Sequence, residues 1–76
     1  MKTTRIYVLK DTITEDFSLP MTYPNDRAFK RALKELFEKR PQSRDCMVAY
    51  CIGSIDIPQC DDDLLKLSAV EVGLDD

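Results

Sequence analysis

Hydrophobic residues recur along this chain with two different periods, and each change of period divides it into elements. In "RIYVLK" (5–10) β-branched and aromatic residues predominate, which predicts a first strand closed by the turn-prone "DTITED" (11–16). In "FSLPMTY" (17–23) Phe17, Leu19, Met21 and Tyr23 alternate with Ser18, Pro20 and Thr22, the pattern of an extended segment with one face buried. Pro20 lacks an amide hydrogen, so that segment belongs at a sheet edge. At "PND" (24–26) the period becomes 3.6, with Asn25 or Asp26 placed to cap the orphan amides of a helix start. Over "RAFKRALKELFEKR" (27–40), Ala28, Phe29, Ala32, Leu33, Leu36 and Phe37 form one apolar stripe. Pro41 ends this helix, because the residue before a proline is pushed out of the α region.

The most apolar stretch is "CMVAYCIGSID" (46–56), which predicts the central strand. Met47, Ala49 and Cys51 fall on one face and Val48, Tyr50 and Ile52 on the other, so both faces need covering. Gly53 marks a bulge or a close approach. After a turn through "IPQCDDD" (57–63), "LLKLSAVEV" (64–72) predicts a last strand, in which a bulge near Ser68 or Ala69 brings Leu65 and Leu67 into phase with Val70 and Val72. The expected fold is a small α+β domain over residues 1–76, ordered β, edge β, α, β, β, with the helix on an antiparallel sheet. One helix covers one face. The second is expected to be covered by a partner subunit, making the chain a homo-oligomer, a dimer first.

Length sharpens that expectation, since a chain of 76 residues buries only around 60% of the surface its unfolded form exposes and usually needs a staple. Histidine is absent, which removes imidazole bases, Ser/His and Cys/His nucleophile pairs and histidine zinc sites. Cys46, Cys51 and Cys60 are an odd set without C-x-x-C spacing, so they are expected to be buried, reduced thiols. On a regular strand Cys46 and Cys51 would point to opposite faces and could not bridge. Asp61, Asp62 and Asp63 lack the spacing of a calcium loop and read as a solvated turn. No enzyme activity, metal or cofactor is expected. With nothing resembling a signal peptide and no apolar run of spanning length, a cytoplasmic location without membrane association is expected, in the host cytoplasm for a viral protein.

Charge is unevenly divided in a chain whose net charge is −3. Residues 1–23 carry three basic and three acidic side chains and net to zero; residues 24–45 carry seven and four, +3; residues 46–76 carry one and seven, −6. Arg27, Lys30, Arg31 and Lys34 fall on the helix face away from the apolar stripe, extended by Lys39, Arg40 and Arg44. Such a patch suits a phosphate backbone, whose counterions it releases. It equally describes a solvated helix face laced with Glu35 and Glu38. Single strands also need stacking platforms beside the cations, for which Tyr7 and Tyr50 are candidates, although strand tyrosines in a small chain commonly belong to the core.

Several of these strings together resemble a known family. "YVLKDT" (7–12), the edge segment with Phe17 and Pro20 before Asn25-Asp26, the helix with Ala28, Phe29, Leu33 and Leu36, and above all "YCIGSID" (50–56) are similar to the small nonstructural proteins of gokushoviruses, the single-stranded DNA phages of the Microviridae. The resemblance implies a DNA-binding accessory role in genome replication or packaging. It brings no residue-level site, so the basic residues above rest on charge alone. The expected function is a homo-oligomeric phage accessory protein that binds single-stranded DNA through the basic helix face. The alternative is an interaction module, such as a phage inhibitor of a host factor, whose acidic C-terminal third engages a basic host or viral protein.

Overall fold

A computed structural model describes residues 1–74. Its elements are β1 (Lys2–Asp11), β2 (Met21–Tyr23), α1 (Asp26–Lys39), a 3₁₀ turn (Pro41–Asp45), β3 (Met47–Ile57) and α2 (Asp61–Lys66). The strands form one antiparallel sheet in the order β2-β1-β3. The α+β class, the edge position of the 17–23 segment and the single main helix agree with the sequence pattern, but that segment's expected buried face is confined to Met21 and Tyr23 of β2, since Phe17 and Leu19 are exposed.

The local signals work as their chemistry requires. Asp11 Oδ1 accepts the amides of Ile13 and Thr14 at 2.9 and 3.3 Å, an Asx turn that reverses the chain after β1. The return is fastened where the Leu9 amide donates to Ser18 Oγ and the Ser18 amide to Leu9 O, at 2.9 and 2.8 Å. Asn25 is the N-cap of α1, its Oδ1 accepting the Ala28 amide at 2.9 Å, and Asp26 complements the dipole in the first turn.

The core lies between the sheet and α1, where Tyr7, Leu9 and Phe29 are buried and Met21, Tyr23, Leu33, Leu36 and Met47 pack around them. The Tyr7 ring stacks on Phe29 with centroids 4.0 Å apart, and Tyr23 tilts against both. Alternation along β1 therefore puts residues 5, 7 and 9 on the helix side and residues 4, 6, 8 and 10 on the other.

Three expectations are corrected. The central strand is β1, because it is hydrogen-bonded on both sides, whereas among the described residues β3 pairs through one edge. The two-sided apolar pattern of 46–56 thus belongs to an edge strand, and every residue from Val48 to Ile57 is exposed. Its register against β1 slips between Ile6 and Tyr7, which leaves Ile52 as the extra residue of a bulge beside Gly53 at φ 156°, a backbone conformation that suits glycine.

Second, 64–72 is no strand. Three aspartates before two leucines start a helix instead, each favourably placed at the positive end of its dipole. It ends in a Schellman motif: Ser68 adopts φ 53°, its amide donating to Leu65 O at 3.1 Å and the Ala69 amide to Leu64 O at 2.9 Å. The change of phase at Ser68 reflects this helix end. Third, the thiols are free but not buried: Cys51 and Cys60 are exposed and Cys46 is intermediate. Cys51 follows β3 to the edge, and Cys60 stands at the N-cap position of α2 without a side-chain cap bond. No described helix is long and apolar enough to cross a membrane.

Candidate nucleic-acid interface

Helix α1 buries Phe29 and turns its polar side outward, so Arg27, Lys30, Arg31 and Lys34 are all exposed. Lys39, Arg40 and Arg44 continue the basic surface around the end of the helix onto the 3₁₀ turn, also exposed. Among the described residues none of these seven cations is in an ion pair; Arg5 with Asp26 at 2.9 Å, the Met1 amino group with Asp63 at 3.1 Å and Lys66 with Asp63 at 4.0 Å make up the pairs. Glu35 and Glu38 are also exposed and unpaired among the described residues and line the grooves beside the helix, so the face is mixed in charge with cations in excess.

Two open grooves flank the helix. The first, about 740 Å³, runs between α1 and the 3₁₀ turn and is lined by Lys30, Lys34 and Arg44, by the acidic Glu38 and Asp45, and by Leu33, Phe37 and Pro41. The second, about 850 Å³, lies on the other side and is lined by Tyr23, Arg27, Lys30, Arg31 and Lys34 with Asn25 and Glu35. Lys30 and Lys34 belong to both. A cationic ridge between two shallow channels suits a flexible polyanion better than a small molecule, which needs a deep enclosed site.

The proposed stacking residues divide differently. Tyr7 is corrected: it is 2% exposed, stacked on Phe29, and its hydroxyl donates to Asp26 at 2.6 Å, so no ring face is open to a base. Burial first, and then the hydrogen bond to the Asp26 carboxylate, push its hydroxyl pKa up to about 12. Tyr50 is 46% exposed but pairs with Val8, on the sheet face away from α1, so the fold does not bring it to the basic patch. The aromatic rings that do border the cations are Phe37 and Tyr23, one in each groove. Sequence reasoning assigned both to apolar patterns. The one local signal was Pro41 four residues after Phe37, which ends the helix, starts the 3₁₀ turn and lines the same groove.

Near the start of α1, Asp26 receives both the Tyr7 hydroxyl and the Arg5 guanidinium, and Arg5 lies 5.9 Å from the Tyr7 ring centroid. This cluster ties the helix to β1. Beside the first residues of β1, Asp63 is 3% exposed, bonded by the Gln59 amide at 2.9 Å and close to the Met1 amino group. Those two contacts, the amide first, hold its carboxyl below the ordinary range. No group of three potential metal ligands is found among the described residues.

Compared with protein families, curated proteins and solved structures, the chain matches no family model, no curated protein and no solved structure.

Proposed function

We propose that this protein binds single-stranded nucleic acid, DNA first, along the basic face of α1 and without base preference, as a phage accessory factor in genome replication or packaging. The observation that carries the reading is the ridge of Lys30 and Lys34 between two open channels, each with an aromatic ring in its lining and further cations on its rim. Cations on one face release counterions from a backbone, and the neighbouring rings offer stacking surfaces that every base can use. The choice of DNA comes from the resemblance to gokushovirus nonstructural proteins. The acidic-module alternative loses Asp63, which is buried and engaged within the chain, and keeps Asp56, Asp61, Asp62 and Glu71 exposed among the described residues.

Titration of a single-stranded oligonucleotide against salt tests this. Three or four phosphate contacts on a single strand predict a log–log slope of roughly −2 to −3. Replacing Arg27 and Arg31 with Glu flattens the slope and weakens all sequences alike, since phosphate contacts carry no base information. Phe37→Ala weakens binding at every salt concentration without changing the slope, as loss of an uncharged contact requires. No binding at about 50 mM salt, where screening is weak, would refute the reading.

A further inference from the structure

We infer that β3 is a self-assembly edge, built to pair antiparallel with β3 of a second copy about a two-fold axis and so extend the sheet to six strands. The two outer edges of the sheet differ. β2 is three residues long and is bracketed by Pro20 and Pro24, which blunt it against further pairing. β3 is eleven residues long, and from Met47 to Ile55 it contains no proline and no charge. Among the described residues nothing pairs with its outer side. Its one irregularity is the bulge at Ile52 beside Gly53; on either side of it, as far as Ile55, the edge carries none of the prolines or charges by which proteins guard edges that are not used.

The exposure is on both faces, which favours a strand alongside over a partner lying on one face. Val48, Tyr50, Ile55 and Ile57 share the sheet face with Val8 and are 38–46% exposed, while Ala49 and Cys51, across from Leu9 and Tyr7 on the helix side, are exposed as well. A strand pairing along β3 shelters both sets at once, because its side chains also alternate between the two faces.

Charge selects the second copy and the antiparallel direction. Before β3 stand Arg40 and Arg44, which outweigh the single Asp45 beside them; just after it stand Asp61 and Asp62; all five are exposed and in no ion pair among the described residues. At about 3.4 Å per residue the two ends of β3 are roughly 34 Å apart, several screening lengths, so the poles do not reach each other along one strand. Full antiparallel overlap sets Met47 opposite the partner's Ile57 with Ile52 on the axis. The basic end then meets the partner's acidic end, twice. Parallel pairing would put like against like. The contact is isologous and closes at two copies, which protects an otherwise sticky edge from running on into fibres.

Sedimentation of the full chain at micromolar concentration, without nucleic acid, tests the interface and is separate from any oligonucleotide result. A dimer is expected, weakened by salt; a monomer overturns the inference. Ile52→Lys, which puts a charge on the axis, should give a monomer with an unchanged circular dichroism spectrum, and a persisting dimer overturns it. If that variant unfolds, charge exchange decides. Arg40→Glu with Arg44→Glu should loosen the dimer about tenfold, each pair being lost twice by symmetry. Asp61→Lys with Asp62→Lys should do the same, and the two sets combined should restore assembly. A dimer indifferent to these reversals, as stacking through the Val48 and Tyr50 face would give, overturns the inference.

Discussion

Tyr7 shows how one residue position carries several constraints. Its ring fills the core against Phe29 while its hydroxyl reaches Asp26 at the start of α1, so a strand, a helix and a charge pair meet at one side chain. Because its pKa is raised from 10.0 to about 12, the folded state holds the hydroxyl proton more tightly than the unfolded state. The stabilisation is complete below pH 10 and is lost as pH rises from 10 towards 12. Urea unfolding across that range should show a falling midpoint, and Tyr7→Phe should abolish the step while leaving the spectrum native. An equal alkaline loss in the Phe variant would assign it to other groups. At this scale the sequence was ambiguous about tyrosines. Tyr7 and Tyr50 both lie in β-rich strings, and what separates them is that Tyr7 belongs to the strand that is paired on both sides.

Elements were legible where a few adjacent residues determine them. The cap at Asn25, the stripe from Ala28 to Phe37 and the stop at Pro41 act within one or two helical turns, and α1 follows them to within a residue. Asn25→Ala should cost roughly 1 kcal/mol in chemical denaturation by leaving the Ala28 amide without its acceptor. The last third misled because a short apolar segment suits either a strand or a helix until its ends are considered. Three aspartates at the helix start and a residue able to turn left-handed at its end decide the matter for α2. Ser68 is not the residue best suited to φ 53°. Ser68→Gly should therefore stabilise the protein by about 1 kcal/mol, the strain an L side chain bears there. Unchanged or lowered stability would show that the Schellman end does not form in solution.

In the whole molecule the helix-side core is small, and the two helices are tied to the chain's first residues by unlike chemistry: α1 by the Arg5–Asp26–Tyr7 cluster, and α2 by its own Asp63, bonded to Gln59 and Met1. The Asp63 carboxyl is depressed below its ordinary 3.8, so its contribution is present above that pH and is lost as pH falls through the folded-state value. Hydrogen exchange at decreasing pH should show the α2 amides losing protection before those of α1 once the pH drops below about 4, and Asp63→Asn should show the early loss already at neutral pH. Simultaneous loss of both helices would contradict this division. Such local release is expected of an element with few buried apolar contacts.

Local patterns alone were enough for the class of fold, the place and N-cap of α1, the edge role of the 17–23 segment, and the concentration of cations on one helix face. Each depends on residues within a turn or two of one another, or on composition. Tertiary structure alone decided that β1 is central and β3 an edge, that Tyr7 is closed to a ligand and Tyr50 lies across the sheet from the cations, and that Phe37 and Tyr23 border them instead. Periodicity reports which side of an element is apolar. Whether that side is covered depends on which strand hydrogen-bonds to which, a pairing between segments as distant as Lys2 and Ile57 that no local pattern encodes.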